Sequence, residues 1–445
     1  MQPETNYLKY SVLGTLMLIV ALGALYLIPE FDIGGFHVKR VNLLADIMVK
    51  PKPVQVAVVK DTTLIIKPVY VDTCKHGITC IEDYSPDTTG LMAFLSALDS
   101  SDSKLVRIAY FADSYVEGDI MLDPLRDTLQ ATFGGSGVGF VPITSEVAGF
   151  RQTVRHQYQN WQIYSVMGSK SPKHPLGPAG YTAAPQADNN VTYKATNKRR
   201  LNNFTTAQLF FGNTEGSEVI VNGTDTIYTG KAHTIAKAKL GNNLKSISLS
   251  VPADSSVDLY GVSFEDTKGI SLDNFSMRGN SGIGLASVQE QMYRNFDSIH
   301  HYNLVVLAYG LNVASPKAQN YDWYARSMNN VVKMIKRAFP NSSILLVGCS
   351  DRGAKVDEDI QTMPMLKELV DVQRKIAADN GVCFWNLFEA MGGDSTMVKW
   401  ADTKPVMADK DYTHLTFYGG RKIAGILIGT LMYEKEKFDR KRKSI

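Results

Sequence analysis

Apolar positions in this chain fall into two recurring patterns. Residues 105–111, 303–309, 344–347 and 384–387 are mostly apolar and rich in β-branched and aromatic side chains, which predicts strands buried on both faces. Between and after them, residues 122–133, 321–339, 363–379 and 416–433 repeat their apolar positions at helical spacing. Strands alternating with helices predict an α/β fold, a three-layer α/β/α arrangement around a parallel sheet. From about Pro185 to Asp266 the pattern changes to short strands, 207–211, 218–221, 246–251 and 257–262, separated by Gly, Asn, Asp and Pro. This predicts a β-sandwich-like module inserted into the α/β domain. Such a module either binds glycan through aromatics such as Tyr181, Tyr193 and Tyr228 or only shapes a cleft, and sequence leaves both open.

The N-terminus differs from everything after it. Tyr10 to Ile28 carries no formal charge, follows Lys9 and ends at Pro29-Glu30, which predicts a membrane-spanning helix. A cleaved signal peptide is the rival, with Ala21 and Ala24 as small residues near a cleavage site. Lys9 on one side and Lys39 with Arg40 on the other leave orientation undecided by charge. The expected organisation is an anchor over residues 1–30, a stalk and lead-in over 31–103 with alternating apolar residues at 54–71, the α/β domain over 104–184 and 267–445, and the module over 185–266.

Across all 445 residues the formal charge of +3 is too small to suggest nucleic acid. Four cysteines divide into two kinds. Cys74 and Cys80 flank a polar loop and suit a disulfide in an oxidising compartment, whereas Cys349 and Cys383 lie at apolar strands as buried thiols. No Cys or His spacing suits zinc, and neither metal nor cofactor is expected. The run of glycines from Gly134 to Gly139 lacks the Lys-Ser/Thr pair of a phosphate loop and reads as a tight connection. The basic run Arg440 to Lys443 suits contact with anionic lipid, but reads first as a solvated helix end.

Three separated segments carry candidate chemistry. Ala112-Asp113-Ser114 places a serine at the turn after the first strand, where its N–H faces a forming oxyanion if a helix follows. The structural alternative is a helix cap, with Glu117 completing a capping box. Gly310-Leu311-Asn312 puts an amide donor beyond another strand, or simply a turn asparagine. Asp411 and His414 share one loop at a spacing that lets the carboxylate hold one imidazole nitrogen while the other takes a serine proton. The other seven histidines show no comparable spacing and receive no role.

Together these residues resemble the GDSL-like, or SGNH, hydrolases. The first block of that family reads Gly-Asp-Ser, here Ala112-Asp113-Ser114; its third reads Gly-x-Asn-Asp, here Gly310-Leu311-Asn312-Val313; its fifth, Asp-x-x-His, is intact at Asp411 and His414. The resemblance implies Ser114 as nucleophile, His414 as base, Asp411 as its orienting acid, and Asn312 with Gly279 as oxyanion donors, Gly282 being the runner-up to Gly279. Residues 107–141, 270–282 and 391–400 are similar to a bacterial envelope subgroup related to peptidoglycan O-acetylesterases, and the likeness covers roughly residues 104 to 435. It implies an esterase or O-acyltransferase acting on O-acetyl groups of peptidoglycan or surface polysaccharide, with an integral membrane O-acyltransferase as partner if acyl groups are transferred. The N-terminal apolar segment and the Cys74/Cys80 pair together predict an anchor in the bacterial cytoplasmic membrane with the rest of the chain on the periplasmic side. A lipid or thioester acylhydrolase, and a silent glycan-binding envelope protein supported by the departures at Ala112 and Val313, are the alternatives.

Overall fold

The computed structural model describes residues 7–27, 31–33, 36–38 and 74–443. The chain forms two compact units, residues 1–66 and 67–445. In the first, helix α1 (Tyr7–Leu27) precedes an antiparallel pair, β1 (Phe31–Ile33) and β2 (Phe36–Val38). Among the described residues no helix is long and apolar enough to cross a membrane. The spanning helix expected over residues 10–28 is therefore not supported by the structure. At about 1.5 Å per residue a helix of this length only just matches a ~30 Å hydrocarbon core, and Lys9, Ser11 and Thr15 occupy its first turns. The alternating stretch at 54–71 lies outside the described residues.

The described part of the second unit begins at the Cys74–Cys80 disulfide. In chain order it contains β3 (Ile81–Asp83), α2 (Met92–Leu98), β4 (Leu105–Ala112), α3 (Leu122–Phe133), β5 (Gly139–Pro142), β6 (Arg155–Ser165), β7 (Tyr181–Lys194), β8 (Phe204–Gly212), β9 (Glu218–Val221) and β10 (Asp225–Tyr228). There follow β11 (Ala236–Leu244), β12 (Ser246–Ser250), β13 (Asp258–Glu265), β14 (Gly269–Ser276), α4 (Glu290–His300), β15 (Leu304–Ala308), α5 (Asp322–Ala338) and β16 (Ser343–Val347). The last elements are the hairpin β17 (Gly353–Val356) and β18 (Asp359–Thr362), α6 (Leu366–Asn380), β19 (Cys383–Trp385), α7 (Leu387–Met391), α8 (Thr396–Trp400) and α9 (Phe417–Lys443).

Six strands form the central sheet in the order β14-β4-β15-β16-β19-β3. The first five run parallel, while β3 pairs antiparallel with β19 at the edge. That edge strand and α2 come from the segment expected to be a lead-in. Side chains alternate across the sheet as the pleat requires. Ala109, Phe111, Val305 and Leu307 join one core with α4, α5 and α6, whereas Ile108, Tyr110, Val306 and Leu345 join another with α2, α3 and α9. Both faces are thus covered, which is why these strands are mostly apolar. Helix α5 shows the complementary logic: Tyr324, Met328, Val331, Val332 and Ile335 are its buried stripe, at spacings of three and four.

The strands of the expected β-sandwich-like module form one connected antiparallel sheet of nine, β5 to β13. It encloses its own core, including Trp161, Val191, Leu209, Leu249 and Phe264. It also starts earlier than the sequence pattern indicates, because β6 buries only two of its eleven side chains fully and so reads as polar. The two sheets are joined by buried polar contacts. The Phe140 N–H donates to Asp273 Oδ1 at 2.8 Å, and Arg107 donates to both Glu265 oxygens at 2.9 and 2.8 Å. Gly139, at φ +76°, passes Asp273 where a Cβ would lie 2.4 Å from that carboxylate.

A second buried node ties the loop after β4 to its surroundings. Asp119, 1% exposed, accepts from Arg126 of α3 at 3.2 Å, from Arg151 Nε at 3.0 Å, from the Thr153 hydroxyl at 2.5 Å and from Asn274 of β14 at 2.7 Å. Burial alone would raise its pKa, but the charges of Arg126 and Arg151 outweigh that and hold the carboxyl well below its usual range. Asp119→Asn keeps the shape and strands two buried guanidiniums, so a loss of about 3–5 kcal/mol is expected from urea unfolding at neutral pH. A depressed folded pKa gives stability that is complete above the ordinary carboxylate pKa and lost as pH falls through the folded value. The gap between wild type and variant should therefore narrow on acidification; a loss below about 1 kcal/mol would show that the node is not structural.

Candidate active site

Strand β4 delivers Asp113 and Ser114 to the carboxyl edge of the sheet. Ala112, which stands where a glycine was expected, is the last residue of the strand and is not among the residues at positive φ, so its methyl meets no backbone obstacle. Helix α3 starts only at Leu122. Ser114 is thus neither the cap of that helix nor at its mouth, contrary to both sequence expectations. Residues 117–119 make a single tight turn instead, with Gly118 at φ +69°. The carboxylate of Glu117, which a capping box would have used, instead accepts from Arg278 Nε at 3.0 Å.

The freed hydroxyl meets a histidine. Ser114 Oγ lies 3.0 Å from His414 Nε2, and His414 Nδ1 lies 2.6 Å from Asp411 Oδ2. The other Asp411 oxygen accepts the backbone N–H groups of Thr413 and His414 at 2.9 and 3.0 Å. Partial burial raises the Asp411 pKa, but these hydrogen bonds and the His414 charge outweigh it and leave the carboxyl below its ordinary value. The turn is shaped by Tyr412 at φ +53° and held from outside, where the Gly353 N–H donates to the Tyr412 carbonyl at 2.8 Å. His414 and Asp411 remain open, with side chains 41% and 49% exposed.

Asn312 reaches the same place from the end of β15. Gly310, at φ +136°, turns the chain against Cys349, whose Cβ would lie 2.6 Å from any Cβ added there. The Asn312 amide then donates to Asp113 Oδ2 and to the Asn280 carbonyl, both at 3.1 Å. That second contact links it to the loop holding Gly279, whose φ is +75° and whose missing Cβ would face only the Met167 methyl at 3.4 Å. Gly282 is different: its N–H donates to Asn280 Oδ1 at 3.0 Å, and its Cα packs against the Tyr309 ring. Its N–H is thus engaged with a side chain of the same loop.

Asp113 of the first block and several neighbours without a sequence signal complete the surroundings. Asp113 is 2% exposed, and burial pushes its carboxyl up to about 6 against the opposing pull of the Tyr115 N–H, His414 and Asn312. Arg352 donates to the Leu311 carbonyl at 2.8 Å, bracing the Asn312 loop. Met167 and Arg278 come from elements far apart in the chain, and no spacing rule brings them together.

No family model and no curated relative matches the chain. Solved structures do. A peptidoglycan O-acetylesterase superposes with TM-score 0.68 at 22% identity, over 80% of this chain and 99% of that one. Family two carbohydrate esterases from Cellvibrio japonicus, at TM-score 0.26 and 9% identity over 68% of this chain and 99% of theirs, and from Clostridium thermocellum in complex with cellohexaose, at 0.27 and 11% over 64% and 100%, are more distant. The class this defines is an α/β fold with a parallel sheet and a separate antiparallel sheet, shared with an esterase structure. At that identity the likeness to the peptidoglycan O-acetylesterase is one of fold.

Asp113 makes a pH-dependent signature. An acid whose folded pKa is raised contributes stability that is present below its unfolded pKa, near 4, and lost as pH rises through about 6. Asp113→Asn removes that loss. The melting temperature of the variant relative to wild type should rise between pH 4 and 7, by the equivalent of about 3 kcal/mol at most. A difference that stays flat over this range would show that Asp113 ionises normally.

Proposed function

We propose that this chain is a serine esterase of the SGNH type, removing O-acetyl groups from glycan of the bacterial cell envelope. The observation that carries this reading is the continuous line from Ser114 Oγ through His414 to Asp411, at 3.0 and 2.6 Å. Asp411 holds the proton on Nδ1, so Nε2 is the free base. His414 takes the Ser114 proton as Oγ attacks the ester carbonyl. The resulting oxyanion is met by Asn312, one of whose N–H groups turns from its present acceptor, and by the backbone at Gly279. The sugar oxygen then leaves with the proton from His414, and an acetyl-serine remains. Water attacks that ester, its proton passes through His414 back to Ser114 Oγ, and acetate departs.

Hydrolysis is favoured over transfer because the His414 and Asp411 side chains are open to solvent, so water reaches the acyl-enzyme. The choice of acetyl ester and of envelope glycan follows the fold shared with the peptidoglycan O-acetylesterase and remains a reading of this chain's site. The Cys74–Cys80 disulfide supports an extracytoplasmic location. Transfer to a second sugar, with an integral membrane acyltransferase as donor, is the competing outcome.

Acetate release from an aryl acetate and from O-acetylated peptidoglycan tests the reading. Ser114→Ala should lower kcat by at least about 1,000-fold, and Asp411→Asn by a comparable factor through the wrong imidazole tautomer. Mass spectrometry of the wild type mixed with aryl acetate should show an acetylated Ser114. Acetylated oligosaccharide in place of acetate, when an acceptor is added, would make the protein a transferase. A folded wild type that forms no acyl-serine and releases nothing from either ester would overturn the proposal.

A further inference from the structure

Two phenylalanines, one packed on the turn after Ser114 and one just after the His414 loop, remain at the surface. The rings of Phe150 and Phe417 stack with centroids 5.5 Å apart and planes 21° apart, yet the residues are 49% and 37% exposed. Each is fastened to one limb of the candidate site. Phe150 lies over Gly118 in the turn after Ser114, so closely that a Cβ there would sit 2.5 Å from the ring. Phe417 opens α9, directly after the His414 loop. The pair therefore forms a platform whose position is set by the same two segments that set the serine and the histidine.

Phe417 also lines a cavity of about 460 Å³, together with Ile120, Gln152, Lys198, Arg199 and Arg421. That volume falls within the range of small-molecule sites. Its charges are unequal. Of the two acids on its wall, Asp123 is paired with Lys198 and Asp127 with Arg200. Arg126, also on the wall, is taken by buried Asp119. Among the described residues Arg199 and Arg421, both exposed, have no carboxylate partner, so two of the lining residues are uncompensated cations. A guanidinium fork matches a carboxylate in two parallel hydrogen bonds, and an exposed aromatic face suits the C–H face of a pyranose.

We infer that this cavity and the Phe150–Phe417 platform form a subsite for a carboxylate-bearing sugar of the glycan chain whose ester is presented to Ser114. The inference rests on the proposed esterase reading and adds its polymer chemistry: an acidic glycan is preferred to a neutral one. A lactyl ether on an amino sugar and a uronic acid offer the same anion, so the two sources are separated by experiment.

The test uses the full chain carrying Ser114→Ala, so that ligand is bound without turnover. Calorimetry would be run with a deacetylated peptidoglycan tetrasaccharide, an oligouronate tetramer and the carboxyl-reduced form of each. At least one acidic form should bind about tenfold or more tightly than its reduced counterpart, with affinity falling as salt rises. The tighter acidic form identifies the source. Adding Arg199→Gln and Arg421→Gln should bring the acidic form to the level of the reduced one. Phe417→Leu should weaken acidic and reduced forms alike, and Phe417→Trp should restore binding, with melting curves confirming that each variant is folded. Equal affinity for acidic and reduced sugars, no binding of either, or indifference to the two arginine substitutions would overturn the inference. Acyl-serine formation by wild type on aryl acetate reports separately on the esterase reading, because that substrate has no sugar.

Discussion

Everything at the candidate site depends on a carboxylate that takes no part in its chemistry. Asp119 sits five residues beyond Ser114, out of contact with water, and gathers hydrogen bonds from α3, from the loop leading into β6, and from β14. A buried anion of this kind does little for stability against an apolar replacement, but it is highly specific about what surrounds it. Only one arrangement of the loop lets Arg126, Arg151, Thr153 and Asn274 reach it together. The turn after β4 is thereby held in its irregular path, where a helix would otherwise have started, and Ser114 Oγ is left to face His414.

The same region contrasts two acids. Asp411 lies near solvent, satisfied by backbone N–H groups and the imidazole, and is poised to stay charged. Asp113 lies next to the serine but away from water, and its environment opposes its charge. What separates them is hydration and donor count, since the residue type is identical. Asp113 spends its acceptor capacity on the Tyr115 N–H and on Asn312, so the buried acid sets the orientation of an amide that the exposed pair cannot reach.

Much of this was legible in the sequence, for reasons that can be stated. Strand β4 was visible because both its faces are buried, which leaves no polar alternation to confuse it. Helix α5 was visible because only one stripe of it is buried. Ser114, His414 and Asp411 met as expected, whereas the helix imagined directly after Ser114 did not form, since Gly118 and Asp119 adopt left-handed backbone conformations there. Strand β6 was missed because it is largely wet, and β3 because three residues carry too little periodicity. The helix of residues 7–27 formed, without support for a membrane crossing among the described residues. Contacts such as Arg278 with Glu117 and Arg352 with Leu311 join segments that only the fold brings together.

The pairing of β4 with β14 also dictates an order of events. These neighbours in the central sheet are separated in the chain by the entire nine-stranded module. As the polypeptide emerges from the ribosome, the serine-bearing strand is made early, but its β14 edge stays open until the module has been synthesised, and its other neighbour, β15, comes later still. Loop closure over such a span costs less entropy once the intervening chain has collapsed into its own compact sheet. The module is therefore a folding spacer: the serine-bearing strand gains its β14 edge only after the module has been made, and the imidazole of His414 arrives later still.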